Sequence, residues 1–271
     1  MILFPNCKIN LGLYITHKRA DGFHNLQTIF YPVLLQDALE IVESSDEEQP
    51  ASITITGLPI DTTSDNICTK AYQLLKKDFD LPPIKIHLHK TIPIGAGLGG
   101  GSADAAFTLL LLNKKFNLQI PENSLLDYAL QLGSDCPFFI KNKPCLATGR
   151  GEKMKEIKLD LSSYKMVLVN PGIHINTGWA FSQIEPKENR ISLMEIINQP
   201  VPHWKDQLRN DFENAIFFHH PSIAAIKNDL YNTGAAYASM TGTGSTVFAL
   251  FEKENTPVLK FPDNYFVRWI I

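Results

Sequence analysis

The stretch Pro93-Ile94-Gly95-Ala96-Gly97-Leu98-Gly99-Gly100-Gly101-Ser102-Ala103-Asp104-Ala105-Ala106 decides the fold prediction for this chain. Five glycines fall within seven residues, and glycine adopts positive φ without steric cost. Successive N–H groups can then converge on one point, as they do in loops that bind phosphate. The stretch therefore predicts a backbone cradle for an anion.

The residues on either side of the glycines predict a strand before the loop and a helix after it. Ile84 to Lys90 alternates apolar and polar residues, which is the period of a half-buried strand. Ser102 is a favourable N-cap, Asp104 falls in the predicted first turn, and a helix-forming run to Leu112 is closed by two lysines. These charges match the helix dipole, so the unpaired N–H groups of the helix should point into the loop.

Several known loop types contain a similar glycine pattern, and the surrounding sequence distinguishes among them. Gly95, Gly97 and Gly100 satisfy G-x-G-x-x-G, but a dinucleotide fold needs a second strand about 20 residues further on, and another helical pattern stands there. No Gly-Lys-Ser/Thr follows the glycines, and the H-R-D and D-F-G motifs of protein kinases are absent. A glycine-rich surface turn without a ligand stays open, although such turns rarely need so many glycines.

Length and composition restrict the class of protein. The 271 residues have room for two domains, and 44% of them are apolar. A turn at 149–152 followed by lysine-rich sequence predicts a boundary near residue 158, with domains 1–158 and 159–271. The net charge of −3 argues against general affinity for nucleic acid or anionic membranes.

The chain is also expected to be soluble and cytoplasmic, because its start lacks the basic region of a signal peptide and its apolar runs are too short to span a bilayer. Four cysteines show no zinc-type spacing, which predicts buried, reduced thiols.

Further elements follow from local patterns. A strand is predicted from Lys8 to Thr16 with Lys8 and Asn10 on one face, and 138–140 is apolar enough for a buried strand. On local pattern alone, Lys8 is a solvated strand lysine and Asp135 is a turn aspartate that bonds its own backbone.

The later sequence predicts a short helix over 177–184, a second helix over 222–231, and two strands on either side of Thr241-Gly242-Thr243-Gly244-Ser245. That loop lacks large side chains and favours either a plain hairpin or a second anion-binding nest.

Five motifs in the same order resemble the GHMP small-molecule kinases, which use ATP. They cover the chain from end to end, and they are Lys8-Ile9-Asn10-Leu11, Arg19-Ala20-Asp21-Gly22-Phe23-His24, Gly97 to Ala106, Gly133-Ser134-Asp135-Cys136-Pro137-Phe138-Phe139, and Thr241-Gly242-Thr243-Gly244.

This resemblance implies an α+β fold, a two-domain α/β sandwich. The active site is expected in the cleft between an N-terminal ATP-binding domain and a smaller C-terminal substrate domain. Lys8 and Asp135 match the family's catalytic pair, which reverses both local interpretations. Mg²⁺ is expected beside ATP, with Ser102 on the metal side. The expected ATP-binding residues are Asn66, Lys90, Pro93, Ile94, Gly95, Ala96, Gly97, Leu98, Gly99, Gly100, Gly101, Ser102 and Ala103.

Within the superfamily, the chain is most similar to the branch that phosphorylates a cytidine-diphosphate-linked methylerythritol on the non-mevalonate isoprenoid pathway. By this resemblance, Phe23 and Phe181 would sandwich the cytosine ring and His24 would hydrogen-bond its edge. The rest of this small-molecule substrate would face Asn10, Thr177, Gly242 and Thr243. No nucleic-acid or membrane partner is expected, and the chain would be a monomer or weak homodimer.

The sequence departs from the family pattern in three places. Phe23 stands where tyrosine is frequent, Cys7 replaces a small residue before the lysine, and Ala103 replaces a second serine. None of these changes removes a charged catalytic group. A kinase of the same superfamily acting on homoserine, mevalonate or a sugar, and a nucleotide-binding module without turnover, remain the alternatives.

Overall fold

The computed structural model describes residues 1–59, 66–187 and 190–270. Its strands are β1 (Ile2–Leu3), β2 (Asn6–Lys18), β3 (His24–Gln36), β4 (Ala38–Glu43), β5 (Ala51–Gly57), β6 (Ile84–Lys90), β7 (Cys145–Thr148), β8 (Lys153–Glu156), β9 (Tyr164–Asn170), β10 (Tyr237–Met240), β11 (Val247–Glu252) and β12 (Phe266–Ile270). Its α-helices are α1 (Ile67–Lys76), α2 (Gly100–Lys115), α3 (Glu122–Leu132), α4 (Cys136–Lys141), α5 (Thr177–Ser182), α6 (Leu193–Ile197), α7 (Glu213–His219) and α8 (Pro221–Asn232), and Val201–Trp204 forms a 3₁₀ turn.

Two compact units interleave along the sequence. Unit 1 consists of Met1–Cys7, Leu34–Ile94 and Gly99–Asn142. Unit 2 consists of Lys8–Val33, Gly95–Leu98 and Lys143–Ile271. The boundary predicted near residue 158 is a single cut along the chain, so this interleaved division does not test it, and it stays a prediction.

The sheet of unit 1 has the strand order β1-β4-β6-β5. Strand β5 runs parallel to β6, whereas the other neighbours are antiparallel. Along β6, Ile84, Ile86 and Leu88 are buried and the polar residues that alternate with them are exposed. This alternation follows from the two-residue period of a strand, and the strand predicted for 84–90 is confirmed.

Helices α1, α2 and α3 cover the buried face of this sheet. Tyr72 and Leu75 of α1 share one apolar cluster with Leu109 of α2 and Leu125 of α3. The strand side chains of β4 and β6 belong to the same cluster. Burial of this apolar surface is the main term that stabilises the unit.

The helix after the glycines exists as predicted, but its first turn differs. Gly99 is the N-cap, with φ 70° in the left-handed region, and Ser102 is the third helical residue. The prediction that Ser102 caps the helix is wrong, because the chain enters the helix through a backbone conformation that favours glycine. Asp104 lies beyond the first turn and is buried. The last turn carries Lys114 and Lys115, as predicted.

The strand predicted for 138–140 is wrong. Phe138 and Phe139 are buried as expected, but they belong to α4, which ends at Asn142 with φ 52°. Three apolar residues suit either a buried strand or a buried helical turn. Pro137 in the first turn favours the helix, since its missing N–H would have no helical partner there.

Unit 2 contains the sheet β10-β11-β9-β12, in which every neighbouring pair is antiparallel. Strand β9 lies inside this sheet, and its residues Met166 to Asn170 are all buried. Helices α5, α7 and α8 pack on the sheet through residues such as Ala180, Ile216 and Ile226. The helix predicted at 222–231 and the strand predicted after the loop 241–245 are confirmed within one or two residues, and the apolar run 164–169 forms β9, as its pattern predicts. Strands β7, β8 and β12 were not predicted.

A third sheet has the order β2-β3-β7-β8. Apart from the start of β2 and the end of β3, its residues belong to unit 2. Strands β2 and β3 form a hairpin around the Asp21-Gly22 turn, as an Asp-Gly pair between two strand patterns predicts, and Gly22 has φ 83°. Among the described residues, no helix combines the length and apolar character required to cross a membrane.

The four cysteines are free and buried, as predicted. Burial raises the pKa of the Cys68 thiol and of the Cys136 thiol to about 12. The thiolate is the reactive form of cysteine, so both groups are protected by their protonation state and by lack of access.

We therefore expect native protein to react with Ellman's reagent at none of its four thiols within minutes, and at all four after unfolding in guanidinium chloride. Absorbance of the released thiolate measures the count. A thiol that reacts rapidly in the folded protein would contradict the buried positions.

Candidate active site

The glycine-rich stretch leads directly into the N-terminus of α2. Gly95, Gly97 and Gly99 have φ of 63°, 76° and 70°, so each uses the left-handed region. The first N–H groups of a helix have no partner within it. In α2 these groups directly follow Gly99, the N-cap of the helix. The start of α2 therefore offers unpaired N–H groups at the positive end of a helix dipole, which are the features that bind an anion.

Within unit 2, backbone contacts fix the middle of this stretch. Lys8 N donates to Leu98 O at 2.9 Å, and Thr246 N donates to Ala96 O at 3.3 Å. Thr241 Oγ1 donates to Gly97 O at 3.1 Å. A Cβ on Gly97 would lie 2.1 Å from the carbonyl oxygen of Thr241, so the close approach of two backbones requires glycine at this position.

The lysine that matches the family's catalytic lysine belongs to a buried polar network in unit 2. Lys8 Nζ donates to Asn10 Oδ1 at 2.7 Å, which confirms that the two side chains share a face of β2. Asn10 Nδ2 donates to Thr28 Oγ1 at 2.9 Å, and its backbone N–H donates to Thr241 Oγ1 at 3.0 Å. The Lys8 ammonium also lies 4.7 Å from the centre of the Phe30 ring. Lys8 is 4% exposed, so its charge is held in one place rather than solvated.

Asp135 lies in unit 1 at the N-cap of α4. Its backbone carbonyl accepts from Phe138 N at 3.2 Å. The next residue, Cys136, forms a side-chain hydrogen bond with Ser102 in the first turn of α2. The structure thus brings the Asp135 segment beside the start of the helix that follows the glycines, within one unit.

The aromatic residues expected around a cytosine ring form two pairs in unit 2. His24 stacks on Phe181, with ring centres 5.2 Å apart and planes at 19°, and Phe181 meets Phe212 edge-on at 4.9 Å. Phe23 is half exposed, and the Arg150 guanidinium lies 3.7 Å from its ring centre. His24, rather than Phe23, is therefore the ring on Phe181, and Arg150 is a neighbour that no sequence motif indicated.

The surroundings of the His24 imidazole favour its neutral form. Burial lowers its pKa, and the nearby charge of Lys18 lowers it further. The ring is therefore neutral at pH 7, with one nitrogen as donor and the other as acceptor.

Side chains from elsewhere in unit 2 hydrogen-bond to the loop 241–245 and to the residue before it. Asn210 Nδ2 donates to Met240 O and to Gly242 O, both at 2.8 Å. Thr177 Oγ1 at the start of α5 lies 3.4 Å from Thr243 Oγ1. Thr177 and Thr243, both predicted to face substrate, are thus brought together, whereas Asn210 lies in a stretch without any sequence motif.

Two predicted nucleotide-binding residues have structural partners in unit 1. Asn66 is the N-cap of α1 and accepts from Cys68 N at 2.8 Å. The polar sequence Ser64-Asp65-Asn66 before an amphipathic run predicts a cap in this place; Ser64 and Asp65 lie outside the described residues. Lys90 is buried, and its ammonium is bound by two carboxylates. The expected contacts of Asn66 and Lys90 with adenine stay predictions.

Two family models match the chain. The GHMP kinases N terminal domain matches residues 66–143, and the GHMP kinases C terminal domain matches residues 195–258. Together they cover more than half of the sequence. The chain belongs to the GHMP kinase family, and the predicted two-domain α+β fold is confirmed by these matches.

Curated relatives narrow the assignment. A 4-diphosphocytidyl-2-C-methyl-D-erythritol kinase of Bacteroides fragilis is 53% identical over 94% of this chain and 93% of its own length. A protein of the same name from Cytophaga hutchinsonii is 45% identical over 97% and 96%. A crystal structure of 4-(cytidine 5'-diphospho)-2C-methyl-D-erythritol kinase superposes with TM-score 0.78 and 28% identity over 92% and 90% of the two chains. Within the GHMP kinases, the chain groups with the 4-diphosphocytidyl-2-C-methyl-D-erythritol kinases.

Gly97→Ala is expected to lower the free energy of unfolding by about 3 kcal/mol or more, because an L side chain at positive φ is strained and its Cβ would meet a backbone oxygen. Gly101→Ala is the matched control, since a Cβ there meets nothing within 4 Å, and it should stay within about 1 kcal/mol of wild type. Urea unfolding followed by circular dichroism measures both. Equal stability of the two variants would contradict the close backbone approach.

Proposed function

We propose that this chain is an enzyme that transfers the γ-phosphoryl group of ATP to the 2-hydroxyl of 4-diphosphocytidyl-2-C-methyl-D-erythritol, a step in non-mevalonate isoprenoid precursor synthesis. The observation that carries the proposal is 53% identity over 94% of the chain to a kinase of that name. The proposal includes a cytoplasmic monomer or weak homodimer without a nucleic-acid or membrane partner.

Phosphoryl transfer depends on positioning and on neutralising the charge of the phosphoryl oxygens. The N–H groups at the start of α2 would bind the β- and γ-phosphates, because they are unpaired in the helix and lie at its positive end. This role does not need a side chain, which agrees with the glycine and alanine found at seven of the nine positions 95–103.

Asp135 would accept the proton of the substrate hydroxyl. Lys8 would orient that hydroxyl and counter the negative charge that develops in the transition state. An ammonium near a carboxylate keeps the carboxylate ionised but lowers its basicity. Lys8 and Asp135 would therefore act by orientation and charge more than by strong base catalysis.

The residues near the start of α2 fit Mg²⁺ as the nucleotide's metal. The part of the chain that the structure describes has no group of three His, Cys, Asp or Glu residues able to hold a metal ion by themselves. Mg²⁺ in kinases keeps several waters and is bound largely by the phosphates of the nucleotide, and the hydroxyl of Ser102 would be a protein ligand, as the Ser or Thr of a P-loop is in other NTP-binding proteins. The bound ion would neutralise phosphate charge.

The aromatic residues favour a substrate that carries a base over the alternatives in the superfamily. Phe23, His24 and Phe181 offer exposed or stacked ring surface and a neutral imidazole, which homoserine, mevalonate or a simple sugar would not use. Homoserine and mevalonate kinases of known structure share 16% identity with this chain and TM-scores of 0.68 and 0.69, and this likeness shows the fold alone.

A coupled ADP-release assay should give turnover with 4-diphosphocytidyl-2-C-methyl-D-erythritol and none with mevalonate, homoserine or galactose. The physical reason is that only the first compound occupies the aromatic residues. Exclusive use of another alcohol would overturn the substrate assignment, and ATP binding without turnover on any of the four would favour a nucleotide-binding module.

Asp135→Asn is expected to lower kcat by roughly 10² to 10⁴, the range for loss of a general base, while ATP binding stays near wild type. Asp127→Asn is the matched control, because this exposed aspartate on α3 belongs to the same unit. Turnover of the Asp135 variant at the wild-type rate would remove that carboxylate from the mechanism.

A further inference from the structure

Three charged side chains form a buried cluster in unit 1. Lys90, the last residue of β6, donates its ammonium hydrogens to Asp37 Oδ2 and, at 2.6 Å, to Asp104 Oδ2. The side chains of Lys90, Asp37 and Asp104 are 1%, 0% and 3% exposed. Burying charges is costly unless they are paired, so a cluster in this position calls for a function that an apolar core would not supply.

Asp37 holds the segment that leads into the glycines. Its Oδ1 accepts from Thr91 N at 2.6 Å and from Ile92 N at 2.9 Å. These two residues directly follow Lys90. One carboxylate therefore fixes both the end of β6 and the first residues after it.

Asp104 holds the other side of the glycine-rich stretch. It lies in α2 one turn after Gly100. A Cβ on Gly100 would lie 2.9 Å from Ile92 Cγ2 and 3.5 Å from Lys90 Nζ, so the start of the helix packs against the same lysine. Both flanks of the stretch are thus attached to one ammonium.

We propose that the Asp37–Lys90–Asp104 cluster is a positioning device for nucleotide binding, which fixes the N-terminus of α2 in the orientation that its N–H groups need to bind the triphosphate. This inference rests on the proposed function for the identity of the ligand. A chain with five glycines in seven residues loses much conformational entropy when it is ordered. Attachment of both flanks in advance reduces the entropy lost when the nucleotide binds.

An amide at position 104 keeps an acceptor for the Lys90 ammonium. Asp104→Asn should therefore preserve the attachment that Asp104→Ala removes, which separates loss of this hydrogen bond from a general loss of stability.

The test is calorimetric titration of the full chain with the non-hydrolysable analogue AMP-PNP and MgCl₂. Asp104→Ala should weaken binding by about tenfold to a hundredfold, because it releases one flank of the stretch. Asp104→Asn should bind within about threefold of wild type, because its amide oxygen still accepts from Lys90. In turnover assays, Asp104→Ala should raise KM for ATP by a larger factor than it lowers kcat.

Leu75→Ala is the control, since it removes a buried side chain of α1 in the same core and leaves the cluster in place. It should lower the free energy of unfolding without changing analogue affinity. Unchanged affinity of Asp104→Ala, or equal weakening by Leu75→Ala, would overturn the proposal. If Asp104→Ala does not fold, Asp37→Asn takes its place, because an amide has one oxygen and cannot accept from both the Lys90 ammonium and the N–H groups of Thr91 and Ile92 as the carboxylate does. Unchanged analogue affinity of Asp37→Asn would overturn the proposal. The titration needs no alcohol substrate, so its failure is distinct from failure of the proposed reaction.

Discussion

Close approach between backbones is the constraint on which this structure depends. Gly97 packs against the Thr241 carbonyl, where a Cβ would lie 2.1 Å from the oxygen, and Gly57 packs equally closely against the Lys90 carbonyl at 2.2 Å. Gly100 meets the side chain of Ile92. These contacts leave no room for a methyl group. The stretch therefore contains glycine for two reasons. Close packing within each unit leaves no space for a side chain, and an anion site needs backbone amides that a side chain does not cover.

Elements could be predicted from the sequence where one physical rule acts over several residues. Strand β6 and helices α1 and α8 are each buried on one side. Their apolar residues therefore recur with the period of the strand or helix, and this period is visible in the sequence. Prediction was wrong where the local sequence suits two structures. Residues 138–140 are apolar enough for a strand or a helix, and the context that selects the helix includes Pro137 and packing of α4 on α2. Ser102 is a good cap residue, but Gly99 takes that position because the chain arrives in a left-handed conformation.

The site residues also include some whose contacts could be predicted from the local sequence and some whose contacts could not. The pairing of Lys8 with Asn10 could be predicted, since residues two apart on a strand share a face. Asp104 could not be assigned correctly, because its partners Lys90 and Asp37 are distant in sequence, and a carboxylate near a helix start resembles one that serves the helix dipole. Asn210 has no neighbouring motif, and only the fold shows that its amide holds two carbonyls of the 241–245 loop region. Roles that depend on contacts between residues distant in sequence cannot be predicted from local patterns.

The substitution at position 23 shows how such long-range contacts compensate for a departure from the family pattern. A tyrosine hydroxyl would give an exposed ring a polar anchor, and Phe23 lacks that group. Arg150 supplies a different one, because its guanidinium approaches the ring centre to 3.7 Å. The two loops are further held by charge, since Arg19 pairs with Asp21 at 2.8 Å and Glu152 accepts from Arg150 N. Stacking on a base needs a ring held in place rather than a hydroxyl, so the role proposed for Phe23 does not require the phenol group.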